Sequence, residues 1–159
     1  MKLFTPEQWE HGHSVGNARI QRVRRNGYGP GKDESYRAAD MQHKSHLIGA
    51  MAEKAYSIET GLDWPNDENE FGKGTGDFDG IAIRGTKWKT GSLIVFDSEL
   101  ESPALFVLVV IDMDERSYRI AGACYAHQAM ELGNRPWINK IRENSPPQWW
   151  VSQENLEPV

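Results

Sequence analysis

The longest apolar run in the chain is Ala104-Leu105-Phe106-Val107-Leu108-Val109-Val110-Ile111. Its even and odd positions are both apolar, so an extended strand made of these residues would be apolar on both faces. Such strands are typical of the centre of a sheet that is covered on both sides. The run therefore predicts a central strand, with helices packed on the sheet.

Other short apolar runs, before and after this one in the sequence, indicate further strands. Residues 78–84, 92–96 and 118–123 are β-like and are separated by turn-rich or charged segments, which suggests a meander. Trp149-Trp150-Val151 predicts an additional edge strand. Because the segments before residue 60 are helical in pattern, the predicted fold class is α/β or α+β.

The clearest helix is predicted for residues 36–59, which contain no proline and end before Thr60-Gly61. Its core face is formed by apolar residues spaced three to four apart, namely Leu47, Met51, Ala55 and Ile58. The adjacent stripe is mostly small and surrounds one acid: His46, Gly49, Ala50, Glu53 and Ser57. Small neighbours allow another backbone to approach Glu53, which predicts a constrained site around this carboxylate.

The N-terminal residues 1–35 form a basic helical segment and loop. Thr5-Pro6 predicts the start of a helical stretch that runs to about Arg25 with interruptions at Gly12 and Gly16, and residues 26–33 are turn formers. Residues 1–45 hold eight Lys/Arg and five Asp/Glu, a net charge of +3, so the remainder carries −8. The basic cluster Arg19, Arg22, Arg24 and Arg25 could bind phosphates, and a solvated helix face is the alternative.

The length and composition fit one domain spanning residues 1–159, with a net charge of −5. The N-terminus has no apolar signal-like region and no run is long enough to span a membrane, so we expect a cytoplasmic protein without a membrane partner. The single Cys124 lies among apolar residues and is expected in the core.

The candidate chemistry lies in Gly76-Asp77-Phe78-Asp79-Gly80, which follows a polar segment 63–76 predicted to be a long loop. Glu53, Asp77 and Asp79 could supply carboxylate oxygens to Mg²⁺ or Mn²⁺, and Arg84 could neutralise a phosphate. The alternative is structural. In that case, Asp77 and Asp79 cap backbone amides in an ordinary turn, and Arg84 is an ion-pair partner of Glu53 or Asp77.

Three segments together resemble the PD-(D/E)XK nuclease superfamily, and within it a group of small phage-encoded proteins: Gly49-Ala50-Met51-Ala52-Glu53, Asp77, and Ile83-Arg84-Gly85-Thr86. The resemblance implies a restriction-endonuclease-like fold, with a central mixed sheet of four to five strands flanked by helices. It also implies a Mg²⁺-dependent (or Mn²⁺-dependent) DNA endonuclease in the cytoplasm of a bacterial host, with Glu53, Asp77 and Arg84 as catalytic residues.

Two positions depart from the superfamily pattern. Ala82 stands where the strand acid is expected, and Arg84 stands where a lysine is usual. Asp79 or Asp97 could substitute for the absent carboxylate. An arginine stays protonated, so Arg84 could clamp a phosphate but could not exchange a proton at neutral pH.

These departures leave open whether the protein is an enzyme. One alternative is a non-catalytic binder of nucleic acid or of a host protein, with an anti-defence or regulatory role, for which the acidic residues 46–159 offer a surface. A second is an assembly accessory without a site. The sequence leaves both a monomer and a homodimer open.

Overall fold

The apolar run forms β4 (Leu105–Asp112), in which six of the eight residues are buried. A computed structural model describes residues 1–25, 36–64, 77–135 and 146–159, and it describes the side chains of α2 (Tyr36–Thr60) from residue 44 onward. The predicted loop at 26–33 and most of the loop at 63–76 lie outside the described residues. Within them, β4 lies between β2 (Ile81–Thr86) and β5 (Ser117–Tyr125), so the predicted central strand is confirmed.

The described strands of the main sheet are four, in the order β1-β5-β4-β2, with β1 formed by Lys2–Leu3. β5 runs antiparallel to both β1 and β4. β2 runs parallel to β4, with Ala82 opposite Phe106. The predicted mixed α+β class is therefore confirmed, and the described residues form a mixed sheet of four strands, within the predicted four to five.

The predicted meander is wrong. β3 (Leu93–Phe96) pairs antiparallel with β6 (Gln148–Val151) and forms a separate two-stranded sheet. The chain therefore leaves the main sheet after β2 and returns as β4 in the same direction, because a parallel pair requires a crossover connection rather than a hairpin. Short apolar runs identified β3 and β6 as strands but contained no information about their partners.

The two faces of the main sheet are covered by different kinds of structure. On one face, the sheet residues Ile83, Val107 and Val109 pack with residues of α2, including Met51 and Tyr56. On the other face, the buried residues come from the main sheet, from β3 and β6, and from α3 (Ala129–Leu132): Ala82, Phe106, Leu108, Leu93, Val95, Val151 and Ala129. The long helices thus flank one face only, and the small sheet with the one-turn α3 covers the other.

α1 (Pro6–Arg25) begins at a reciprocal cap between Thr5 and Gln8, as the Thr5-Pro6 signal predicts. The predicted interruptions at Gly12 and Gly16 are wrong, since α1 continues through both. These glycines lie where α1 crosses α2, and the close packing there stabilises the helix despite the low helix propensity of glycine. A Cβ atom on Gly16 would lie 3.0 Å from the Cα atom of Leu47. None of the described helices has the length and apolar character needed to cross a membrane.

The close approach between α2 and the sheet occurs at Gly85 of β2. A Cβ atom there would lie 2.7 Å from the carbonyl oxygen of Ile48 and 3.0 Å from the Cβ atom of Ala52. By contrast, a Cβ atom on Gly49 would meet nothing within 4 Å. The small residues at this close approach are therefore Gly85 on the strand and Ala52 on the helix, and Gly49 takes no part in it.

Candidate functional site

Glu53 is one of the three buried polar or charged residues among those described, with 7% of its surface exposed. Arg19 of α1 binds it through two parallel contacts, Nη1 to Oε1 and Nη2 to Oε2, each 2.6 Å long. The indole Nε1 of Trp64 donates a third hydrogen bond to Oε2, at 2.9 Å. The predicted constrained site around Glu53 is thus filled by a guanidinium group and an indole.

The local sequence explains why these two charges meet inside the protein. α1 buries a stripe of residues that includes Val15, Gly16 and Ile20, and Arg19 lies beside this stripe. On α2, Glu53 follows Ala50, Met51 and Ala52, which are fully buried. The arginine therefore reaches the carboxylate across the contact between the helices, where little water remains to solvate either group.

Asp77 precedes β2 and folds back along that strand. Its Oδ2 atom accepts a hydrogen bond from the backbone N–H of Ile83, at 2.6 Å. Burial and the nearby negative charge of Glu53 raise the pKa of Asp77 above its ordinary value, and the Ile83 amide, Arg84 and Arg19 partly oppose this shift. Asp77 is therefore both a cap of the strand and a carboxylate within electrostatic reach of Glu53.

Arg84 points away from α2. Because side chains alternate along a strand, Arg84 lies on the opposite face of the sheet from its buried neighbour Ile83. Its guanidinium carbon lies 5.0 Å above the centre of the Phe106 ring, and its Nη2 atom forms an ion pair with Oε1 of Glu99. Glu99 is itself held by the backbone N–H of Phe96, at 3.0 Å.

The remaining predicted acids lie elsewhere. Asp79 is exposed at the turn before β2. Asp97 forms an ion pair with Arg135, at 2.7 Å, next to the small sheet. Ala82 is buried among the apolar residues between the two sheets. Within the described residues, no three His, Cys, Asp or Glu side chains form a group that could hold a metal ion.

The predicted arginine cluster is divided by the fold. Arg19 keeps 14% of its side chain exposed and binds Glu53, whereas Arg24 and Arg25 are exposed near the end of α1 and Arg22 is half-buried. A phosphate-binding role for all four side chains at once would therefore require Arg19 to leave Glu53.

Sequence reasoning missed three partners in this region: Arg19 as the counter-ion of Glu53, Trp64 as its hydrogen-bond donor, and Glu99 as the partner of Arg84. A signal was present for Arg19, because a basic residue beside the apolar stripe of α1 is placed to reach α2. Trp64 lies a few residues after the end of α2, and Glu99 lies a few residues after the end of β3. Helix or strand periodicity does not predict where side chains point in such segments.

Comparisons with protein-family models, with curated proteins and with solved structures found no match. Asp77 lies within electrostatic reach of Glu53 and Arg19 and also of Arg84, which lies on the other face of the sheet and pairs with Glu99. Such an arrangement can balance its own charges, or it can exchange a guanidinium for a divalent cation.

Proposed function

We propose that the protein has a restriction-endonuclease-like fold and binds a divalent cation, Mg²⁺ or Mn²⁺, between Glu53 and Asp77 to hydrolyse DNA. The observation that supports this most is that a buried carboxylate, Glu53, and a partly buried one, Asp77, lie within electrostatic reach of each other, so that burial and the charge of Glu53 raise the pKa of Asp77. Two carboxylates kept together in a partly buried place repel each other, and such arrangements are concentrated at functional sites. A cation between them would remove that repulsion.

The donor set fits magnesium in kind and in number. Mg²⁺ is often held by one or two carboxylates, with water and substrate phosphate oxygens completing its shell. A cation bound there would polarise a phosphate oxygen and activate a water molecule. The contribution of Glu53 and Asp77 would be to hold that cation, and that of Arg24 and Arg25 would be to contact the DNA backbone.

Arg19 gives this proposal a specific requirement. It occupies both oxygens of Glu53, so a cation that binds Glu53 must displace at least one of the two guanidinium contacts. Arg84 has a similar constraint, since it must leave Glu99 to reach a phosphate. Cation binding and the internal ion pairs therefore compete for the same carboxylates.

The same competition favours a second candidate, a non-catalytic protein that binds a nucleic acid or a host protein. The specific observation is that Arg19 neutralises Glu53 with near-ideal two-pronged geometry, which leaves no need for a cation. Ala82 adds to this, because the strand acid of the resembled superfamily is replaced by a buried methyl group.

Isothermal titration with Mg²⁺ and with Mn²⁺ separates the two candidates. The variants are Asp77→Asn and, as a matched control, Asp79→Asn, whose carboxylate is exposed two residues away. We expect cation binding that is lost in the first variant and kept in the second. If neither cation binds the wild-type protein, the metal site is excluded and the second candidate is favoured.

Cleavage is then measured on labelled single-stranded, double-stranded and branched DNA, with and without the cation. We expect cation-dependent cleavage that both Glu53→Gln and Asp77→Asn abolish. Cation binding without cleavage of any of these substrates would support a binding protein that retains the cation site. Cleavage that survives both substitutions would contradict the assigned site.

A further inference from the structure

A short basic turn between β2 and β3 exposes a tryptophan. It consists of Lys87, Trp88 and Lys89, and Trp88 keeps 66% of its surface exposed. The Nζ atom of Lys87 lies 4.8 Å from the centre of the indole ring. Large aromatic residues are usually well buried on average, so an indole exposed to this extent between two lysines suggests a binding role.

The backbone of this turn is firmly held. The N–H of Trp88 donates to Oγ1 of Thr86 at 3.2 Å, and the N–H of Gly91 donates to the carbonyl of Trp88 at 2.9 Å. A Cβ atom on Gly91 would lie 2.5 Å from that Thr86 hydroxyl oxygen, so the turn closes tightly.

Two side chains from other parts of the fold also hold the turn. Nη2 of Arg119 in β5 and Nε2 of Gln153 bind the carbonyl of Lys89, at 2.9 and 3.1 Å. Gln153 also binds the carbonyl of Gly91, at 2.7 Å. The exposed indole is therefore presented on a pre-organised backbone, which lowers the entropy that a ligand would lose on binding.

The turn borders a groove of about 580 Å³ beyond the carboxyl ends of the parallel strands β2 and β4. Its wall combines three lysines and apolar side chains, including Lys44, Lys87, Lys89, Leu47, Ile111 and Met113. Asp112 and Asp114 also line it, so the side chains give a local charge of about +1 on a protein of net charge −5. Asp112 lies 3.8 Å from Lys89.

We propose that this groove and the Trp88 turn bind a single-stranded nucleic acid. A base would stack on the Trp88 ring, the neighbouring phosphates would contact Lys87 and Lys89, and a nucleotide would enter the apolar part of the groove. Stacking on an exposed aromatic side chain beside basic groups is the usual mode for single strands. A duplex hides the faces of its bases, and it could use only the lysines.

This site is separate from the proposed cation site. Lys44 and Glu53 are nine positions apart on α2, which corresponds to about 13 Å along the helix axis. Binding in the groove requires no metal ion, so it can be tested in the presence of a chelator. A failure of cation binding would leave this proposal intact, and the reverse also holds.

The test is fluorescence anisotropy of a labelled oligothymidylate and of a duplex of equal length, both in EDTA. We expect the wild-type protein to bind the single strand more tightly than the duplex, and Trp88→Ala to weaken single-strand binding by about tenfold or more. Trp88→Phe should retain part of the affinity. The double substitution of Lys87 and Lys89 by alanine should reduce both affinity and its dependence on salt.

Trp150→Ala is the matched control, because Trp150 is also exposed, at 41%, but lies on β6. It should bind the oligothymidylate as the wild type does, and circular dichroism confirms that each variant is folded. The proposal is overturned if the wild type shows no binding at about 100 µM. It is also overturned if the duplex is preferred, or if Trp88→Ala and Trp150→Ala have equal effects.

Discussion

Arg19 and Glu53 connect α1 to α2 by two N–H···O contacts of 2.6 Å, and their side chains keep only 14% and 9% of their surfaces exposed. A pair buried to this degree loses most of its hydration. The energy of forming it is therefore close to balanced, while removing one partner alone leaves a charge without compensation. The relationship predicts a strong asymmetry between single and double substitutions.

Arg19→Met is expected to lower the free energy of unfolding by about 3 kcal/mol, because the Glu53 carboxylate then lacks its counter-ion. The double variant with Glu53→Met should be more stable than Arg19→Met alone. Urea unfolding followed by tryptophan fluorescence measures both. Lys2→Met is the control, since Lys2 pairs with Glu59 at the surface with 67% of its side chain exposed, and it should lose less than about 1 kcal/mol. If Arg19→Met and Lys2→Met lowered the free energy of unfolding equally, a special role for the buried pair would be contradicted.

The competition between Arg19 and a cation gives a second prediction. Arg19→Met should bind Mg²⁺ more tightly than the wild type does, because both oxygens of Glu53 become available. Added Mg²⁺ should then raise the thermal unfolding midpoint of Arg19→Met more than that of the wild type. Scanning calorimetry with and without the cation checks this. An Arg19→Met protein that Mg²⁺ leaves unchanged would remove Glu53 from the proposed cation site.

Asp77 combines a favourable hydrogen bond with an unfavourable charge, and two substitutions separate them. Asp77→Asn keeps an acceptor for the Ile83 amide and removes the repulsion from Glu53, so at neutral pH its stability should equal or exceed that of the wild type. Asp77→Ala removes the acceptor as well and should be less stable than Asp77→Asn by about 1 kcal/mol.

The pH dependence of the same residue follows from its raised pKa. When a carboxyl group holds its proton more tightly in the folded state than in the unfolded state, the protein loses stability as the pH rises above the ordinary pKa of that group. The advantage of Asp77→Asn over the wild type should therefore be largest near neutral pH and should shrink as the pH falls toward that range. Urea unfolding at several pH values measures it, and an advantage that grew on acidification would have the wrong sign.

Tyr118 predicts a loss of stability in alkaline solution. Burial, the hydrogen bond to Glu59 and the charge of that carboxylate raise the pKa of Tyr118 to about 12. The protonated hydroxyl therefore stabilises the fold fully below about pH 10, and this contribution, on the order of 2 kcal/mol, is lost between pH 10 and 12. Tyr118→Phe has no hydroxyl group to ionise, so its free energy of unfolding should fall less than that of the wild type between pH 10 and 12. The comparison of unfolding curves over this range tests the assignment.

Substitution by alanine should change the stability of the protein in opposite directions at Gly85, which packs against α2, and at Gly49, which lies within α2. Gly85→Ala places a methyl group 2.7 Å from a backbone oxygen of Ile48 and should destabilise the protein by about 1 to 3 kcal/mol. Gly49→Ala meets nothing within 4 Å and should stabilise α2 by up to about 1 kcal/mol. Thermal unfolding of both variants checks the pair, and a stabilising Gly85→Ala would contradict the close packing of β2 on α2.

The elements of the fold were predictable wherever local periodicity determines them. The two-sided apolar run gave the central strand, and the spacing of Leu47, Met51 and Ala55 gave α2. The partner of β3 was not predictable, because a short run of apolar residues such as Leu93–Phe96 can pair with any strand that helps to bury it. Pairing of β3 with β6 depends on residues more than 50 positions apart in sequence.

The candidate site was predictable as a set of residue types but not as a set of partners. Glu53 among small residues indicated a constrained site, and the structure buries this carboxylate between α1 and α2. Its counter-ion could not be derived, because Arg19 is one of four arginines in the last two turns of α1, and only the crossing of the helices selects it. For Arg84, the alternation along β2 fixes its face, whereas its partner Glu99 belongs to the turn after β3.

The hydrogen bond from Ile83 to Asp77 has a consequence for self-association. In the part of the chain that the structure describes, β2 is an outer strand of its sheet, and such strands can recruit a strand from another molecule. The Asp77 carboxylate occupies an amide that this recruitment would need, and it places an acidic group at the same edge. We therefore expect Asp77 to disfavour the addition of a foreign strand at this edge, independently of any ligand that it binds.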